Sequence, residues 1–253
     1  MLRTPAPLIG ALGLMYKDAS TFRPPSRSPQ QLWRYLPADR LKDILKSGEI
    51  YFRRITSLED AREGTLTTRT RNQLAAQFQS QQALSVAAAH AEVDVYLKVQ
   101  ENLYVNCWHM NDHESYLMWR AYANRGYAIL TTFERLRASF STSPGVVNGG
   151  VVQYLDFNRD ISSFGNIFRH AVIKDMPYKD EQEFRLVLWT VDPENHEMVK
   201  SGEGVRVPVD VQMLIASLIH NPLGIDHDPE LEELILRKHI NVKSSAVAIR
   251  DPQ

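Results

Sequence analysis

Glu181, Glu183 and Arg185 recur at every second position and run directly into Leu186-Val187-Leu188-Trp189. Alternate residues of a strand share a face. The spacing therefore sets both carboxylates and the guanidinium on one side, continued by Val187 and Trp189. Phe184, Leu186 and Leu188 fill the other side. Carboxylates so close repel each other, burial discourages their ionisation further, and an arginine two residues on offsets both effects. Such clusters mark clefts that do chemistry, and structural ion pairs imitate them. The plain alternative is an exposed strand end with local ion pairs, which stabilise little. The passage from charge to Val187 and Trp189 on one face favours a cleft.

Arg34 stands between Trp33 and Tyr35 on an expected strand. Its forked donors suit a phosphate or a ribose. The other reading is a buried pair with Asp60, Glu63 or Glu181. Trp119 and Tyr122 lie three apart on an expected helix, either as core packing or as a stacking wall for a flat ring. Asp60 and Glu63, with Glu181 and Glu183, form an acidic set that can bind Mg²⁺ with Arg185 or Lys179 near a phosphate. Asp60 and Glu63 equally suit capping of the helix that follows them. His109 and His113 flank a turn rather than a helix, so their spacing is a poor zinc signal. Cys107 reads as a buried, inert thiol.

These side chains need a scaffold. The chain has 253 residues, 43% of them hydrophobic, a formal net charge of -1 and one cysteine. That is enough for one large domain with a proper core. The charge balance gives no global pull toward nucleic acid or anionic membrane. The lone cysteine excludes an internal disulfide and suits a reducing cytoplasm. No apolar run is long enough to span a bilayer. Leu8–Met15 only faintly resembles a signal sequence.

Residues 1–31 read as an arm, with Pro24, Pro25 and Pro29 opposing regular structure and an apolar start able to dock on the body or a partner. Residues 32–253 read as a single α+β domain. It opens with a strand at Leu32–Leu36 and a helix entered by Pro37, carrying Leu41, Ile44 and Leu45 and closed by Gly48. A strand at Ile50–Arg53 follows. A polar loop at 59–66 leads to one long or two shorter helices over 67–100. Strands are expected at Leu103–His109, Tyr127–Phe133, Val151–Tyr154 after an Asn148-Gly149-Gly150 turn, Phe184–Thr190, Val205–Val209, Leu214–His220 and Val242–Ile249. Helices are expected at Ser115–Ala123, 161–173 and Pro229–His239. The irregular mixture favours α+β over a doubly wound sheet. No G-x-G-x-x-G or P-loop occurs.

The order W-R-Y, L-x-x-I-L-x-x-G-x-I-Y-F, E-D-x-x-E-G, S-x-x-x-M-W-x-x-Y-A, G-Y-A-I, V-x-Y and E-x-E-x-R, closing on Val242-Lys243-Ser244-Ser245, resembles the bacterial family called domain of unknown function 2971. The resemblance runs from Leu32 to Ile249. The acidic loop departs from it, reading Leu58-Glu59-Asp60-Ala61-Arg62-Glu63-Gly64 where N-D-P-x-E-G is usual. More distantly, the chain resembles ADP-ribosyltransferases. These open with Arg or His on the first strand, carry an aromatic or S-T-S element in the middle, and end with a catalytic Glu, often as E-x-E. Here Arg34, Tyr122 and Glu183 stand in that order, and no S-T-S occurs on Leu103–His109.

The ADP-ribosyltransferase resemblance implies central β-sheets with flanking helices and a helical insertion at about 67–100. It implies an enzyme that takes NAD as substrate and transfers ADP-ribose to a macromolecular acceptor, protein or nucleic acid. A toxin or anti-phage effector with a restraining antitoxin or defence partner is one such case. Glu183 would stabilise the oxocarbenium-like sugar and grip the ribose 2′-hydroxyl, and Glu181 would orient or deprotonate the acceptor. Arg34 would hold the pyrophosphate or adenosine ribose. Tyr122 with Trp119 would stack on nicotinamide, and Tyr35 and Arg185 would complete the NAD-binding set. The alternatives are the metal-dependent nuclease or phosphodiesterase described above, and a non-catalytic sensor that uses the long helices and the arm for partner contact.

Overall fold

The protein is a mixed α+β molecule built on a large, mostly antiparallel sheet, seen in a computed structural model that describes residues 16–141, 145–163, 165–191, 200–201, 203–224 and 227–248. Its first unit forms as the pattern predicts. Strand β1 (Gln31–Leu36) leads through Pro37 into helix α1 (Ala38–Ser47), which buries Leu41, Ile44 and Leu45. Gly48 ends the helix in the left-handed region, φ 70°, with its N–H on the Ile44 carbonyl. Strand β2 (Glu49–Arg54) follows at once.

The expected helical stretch is two helices, α2 (Thr68–Gln82) and α3 (Val86–Leu97), capped by Thr67 and Ser85. They bury a core of their own that includes Leu74, Ala75, Ala89, Val93 and Leu97. Strand β3 (Leu103–Met110) returns to the sheet. Helix α4 (Tyr116–Tyr122), strand β4 (Tyr127–Thr132) and helix α5 (Phe133–Ala138) follow, and then strands β5 (Asn148–Val151), β6 (Gln153–Leu155) and β7 (Ile173–Asp175). Strand β8 (Glu183–Trp189), β9 (Lys200–Ser201), β10 (Gly204–Pro208), α6 (Val211–Leu214), β11 (Ser217–His220), α7 (Pro229–Arg237) and β12 (Val242–Lys243) complete the described chain.

Strand β3 organises the sheet. One of its edges pairs with β8 from Leu103↔Trp189 to His109↔Glu183. The other edge is shared. β2 takes its start at Tyr104 and Val105, and β1 takes its end at His109 and Met110. Between them, Asn106–Trp108 have no strand on that side. The sheet forks there, with β4 and β11 continuing beyond β1 and with β10 and β9 beyond β2.

Alternation sorts the two faces. Leu32, Leu36, Tyr104, Trp108, Phe184, Leu186 and Leu188 belong to the main core, which α1, α5 and α7 cover with Leu41, Leu136 and Leu231. Val105 and Val187 pack on the opposite face with Ile55, Phe22 and Val172. Trp33 and Tyr35 share that side with Trp119.

Several local expectations are corrected. Asn148-Gly149-Gly150 is part of β5, not a turn. A Cβ at Gly149 would stand 2.7 Å from the Phe184 ring and one at Gly150 2.9 Å from Phe22, so these glycines let aromatic rings cross the strand. Residues 161–173 are not one helix. Only Ile167–Val172 turns, as a 3-10 helix, and Ile173 begins β7. Leu214 ends helix α6, which Asp210 caps, and the strand starts at Ser217. The last strand shortens to Val242–Lys243, and Ile249 lies outside the described residues. So does Leu8–Met15. The described half of the arm lies on the body, with Tyr16 bridging Val147 and Phe22 buried. Among the described residues no helix is long and apolar enough to cross a membrane.

Candidate functional site in the fork of the sheet

The fork is held open by side chains standing in for a missing strand. Arg34 of β1 donates from Nη1 to the Cys107 carbonyl at 2.8 Å. Asn106 donates from Nδ2 to the Tyr51 carbonyl of β2 at 2.9 Å, and accepts from Trp108 Nε1 at 2.7 Å. Backbone groups that β3 and β2 leave unpaired are thereby satisfied. The Arg34 guanidinium also lies over the Trp108 ring, 5.8 Å from its centroid. A cavity of about 900 Å³ occupies the fork. It is lined by β1 and α1, by the 58–63 loop, by β3, by the end of α4, and by Lys174, Tyr178, Glu181, Glu183 and Arg185. Its size falls within the roughly 300–1,000 Å³ of sites that enclose small ligands.

One wall is a buried charge network. Arg185 is fully buried. Its Nη1 and Nη2 reach Glu63 at 2.6 and 2.8 Å, its Nε reaches Glu183 Oε2 at 2.6 Å, and Nη1 also donates to the Ala171 carbonyl. Lys174 Nζ lies 2.6 Å from Glu181, 2.6 Å from Glu183 and 3.3 Å from Glu63. Three carboxylates thus share two cations, and one negative charge is left over when Glu181 is ionised. Burial opposes ionisation of Glu183, but the Arg185 guanidinium and Lys174 outweigh it and hold this carboxyl well below its usual range. Glu181 goes the other way. Burial and the adjoining Glu183 push it up to about 7 against the pull of Lys174. The Tyr122 hydroxyl donates to Glu181 Oε1 at 3.1 Å.

Glu181 is not on the strand. It ends the 3-10 helix Met176–Glu181, and Gln182 turns in the left-handed region, φ 42°, before β8 begins at Glu183. The two carboxylates meet through Lys174 rather than through strand alternation. His109 fixes the turn, its Nδ1 2.6 Å from the Glu181 carbonyl. A carbonyl only accepts, so Nδ1 carries the proton, and burial lowers the ring's pKa. The Tyr154 hydroxyl accepts from the Glu183 N–H at 2.8 Å.

Arg34, Tyr35, Tyr122, Glu181, Glu183 and Arg185 all line this cavity. Trp119 does not. It is buried against Tyr35, ring centroids 4.9 Å apart and edge on, with Nε1 donating to Glu114. Its helical spacing serves the core. Tyr35 lines the cavity, while its hydroxyl accepts from the Ser115 N–H. Arg34 pairs with none of Asp60, Glu63 or Glu181. Among the described residues no carboxylate pairs with it. Cys107 is partly buried on the cavity wall, and desolvation pushes its thiol up to about 12. Glu63 caps nothing. It leaves its loop to bind Arg185, while Arg62 pairs with Asp175.

The network's centre, Lys174, escapes the sequence reading, as do Tyr178, Tyr154 and the role of His109. Lys174 is flanked by Ile173 and Asp175 and has no motif. A lysine in an otherwise apolar Ala-Val-Ile run is the only local signal of its burial. Among the described residues no group of three or more His, Cys, Asp or Glu is arranged to hold a metal ion. The Lys174 ammonium and the Arg185 guanidinium occupy the space between the carboxylates where a divalent ion would stand. The chain matches no protein-family model, no curated protein and no solved structure.

Proposed function

We infer that the fork cavity binds NAD⁺ and that the protein is an ADP-ribosyltransferase-like enzyme acting on a macromolecular acceptor. One observation carries this reading. Arg34, Tyr122, Glu181 and Glu183, spread over most of the chain, converge on one cavity large enough to take a nucleotide. The forked sheet and the E-x-E at the head of β8 support it, as does the order of these residues along the chain.

The chemistry follows from the wall of charge. Heterolysis of the ribose–nicotinamide bond sends the bonding electrons to nicotinamide and leaves an oxocarbenium-like sugar. The network's surplus negative charge favours that cation more than the ground state. Glu183 keeps the charge in place, since two cations occupy its oxygens. Glu181, whose side chain is less deeply buried, accepts the acceptor's proton as the new bond to the sugar forms. A base poised near neutrality suits that task. Tyr122 orients Glu181 and offers its half-exposed ring to the leaving group.

The test is transfer of label from NAD⁺ carrying a radioactive adenylate phosphate to components of a bacterial lysate. Labelled product is expected, and Glu181→Gln should lower its yield about 10²-fold. The saturation of Glu183 by Lys174 and Arg185 favours a second reading, a module that binds nucleotide without breaking it. NAD⁺ that binds and is recovered intact with every acceptor moves the assignment to that module. No binding rejects both.

A further inference from the structure

Arg185 by itself already holds two of the three carboxylates in the network. Its Nη1 and Nη2 take both oxygens of Glu63, and its Nε and Nη2 take both oxygens of Glu183, at 2.6 and 3.2 Å. Glu181 is served differently. Among the described residues its carboxyl accepts from Lys174 Nζ at Oε2 and from the neutral Tyr122 hydroxyl at Oε1, and from no arginine. Lys174 is thus redundant for the Glu63–Arg185–Glu183 clamp and supplies the cation on Glu181. It stands on β7 opposite Tyr154 of β6, with its side chain 8% exposed. The Tyr178 ring, which also lines the cavity, lies 4.7 Å from Nζ. An ammonium so deeply buried is costly, and apolar residues of like volume often serve stability as well. What Lys174 does for Glu181 accounts for its place.

We propose that Lys174 is a positioning residue that divides the two glutamates by role, fixing Glu183 as a permanent charge and keeping Glu181 free to take a proton from the acceptor. The identity of the reaction rests on the NAD⁺ reading, whereas the division of roles rests on the geometry. The ammonium lies 2.6 Å from both carboxylates and lets both ionise. The first proton then goes to Glu181, because Glu183 has Arg185 as well. Without the ammonium, Glu181 would face the Glu183 charge with one neutral donor and would keep a proton through neutral pH. A protonated carboxyl cannot accept another proton from the acceptor.

The groups that face the Glu181 carboxyl are Lys174 from β7, Glu183 from β8 and Tyr122 from α4, with Glu63 and Arg185 behind Lys174. His109 of β3 meets the Glu181 carbonyl instead. Burial opposes the Lys174 charge, but Glu183, Glu63 and Glu181 outweigh it, so the ammonium keeps its proton. The acceptor's lone pair closes on the sugar carbon, and the electrons of the broken bond leave with nicotinamide. The acceptor's proton passes to Glu181 and then to water, and Lys174 stays charged throughout.

Carbon-13 NMR of the full chain, with glutamate labelled at its side-chain carboxyl, tests the division without turnover. Glu181→Gln and Glu183→Gln assign the two resonances. In the wild type Glu181 should titrate by itself near pH 7 while Glu183 stays ionised. Lys174→Met keeps the length of the stem and leaves the Arg185 clamp in place. It should raise the Glu181 midpoint by about one pH unit or more, as loss of an adjacent opposite charge does. Nicotinamide release by this variant should fall about tenfold or more at neutral pH and recover on the alkaline side, because the acid limb moves with Glu181. Glutamates 181 and 183 titrating together in the wild type overturn the proposal, whether or not any variant folds. So does a Glu181 midpoint that stays put in Lys174→Met. A loss of release equal at every pH also overturns it, since that is what a role in the fold alone produces. No release from the wild type rejects the NAD⁺ reading and leaves the titration to decide the role of Lys174.

Discussion

Arg185 holds Glu63 by two guanidinium hydrogen bonds, 2.6 and 2.8 Å long, across 122 positions of sequence. The contact ties the middle of the sheet to the loop that launches α2 and α3. Both groups are buried, so the pair is worth most when intact. Glu63→Ala leaves a buried guanidinium short of charge and should cost about 3–5 kcal/mol of stability. Glu63→Gln keeps an acceptor and should cost less. Urea unfolding of both variants measures this. A loss under about 1 kcal/mol in Glu63→Ala would show that the pair does not organise the site.

The network also sets a pH dependence with two opposed parts. Glu181 is raised from its ordinary 4.5 to about 7 in the folded chain, so the folded state binds its proton more tightly than the unfolded one. Its contribution to stability is fully present below about pH 4.5 and is lost as pH rises through about 7. Glu183 is lowered, so its contribution is present above its ordinary range and is lost on acidification. Between pH 5 and 8 the Glu181 part dominates. The urea midpoint of the wild type, followed across that window, should fall relative to that of Glu181→Gln. Parallel profiles would place the Glu181 titration elsewhere.

Much of this was legible in the sequence. The alternation of Glu183–Trp189 gives both the strand and its two faces, because period 2 leaves no other arrangement for charge on one side and leucine on the other. The α1 unit was equally plain, since its helix starts at a proline and stops at a glycine. The site was legible only in part. Glu181 reaches Glu183 through a left-handed Gln182, and glutamine carries no signal for that conformation. Trp119 shows why helical spacing is ambiguous, for the same stripe serves a core or a ligand wall. Lys174 was invisible because no regular spacing joins it to its partners: Glu181 and Glu183 stand 7 and 9 positions on, across a 3-10 helix and a turn, and Glu63 comes from a remote loop. The glycines of β5 read as a turn because the rings they admit, Phe22 and Phe184, are known to lie there only after folding.

The described part of the arm is integral to the body rather than a loose tail. Phe22 is 6% exposed and packs with Val105, Val187 and Phe168 beneath the Arg185 face of the sheet. Phe22→Ala should therefore cost about 3–5 kcal/mol, as deletion of a core aromatic does. Thermal unfolding decides it. A change within about 0.5 kcal/mol would mean that the arm contributes no core.

The most direct measurement is release of free nicotinamide from NAD⁺ by the full chain, with and without lysate as acceptor, for the wild type and for Glu181→Gln. Release by the wild type with a loss of about 10²-fold in the variant is the result expected from a base at Glu181 beside a network carrying surplus negative charge. Nicotinamide release that is undiminished in Glu181→Gln, or absent from the wild type with every acceptor supplied, would contradict the assignment.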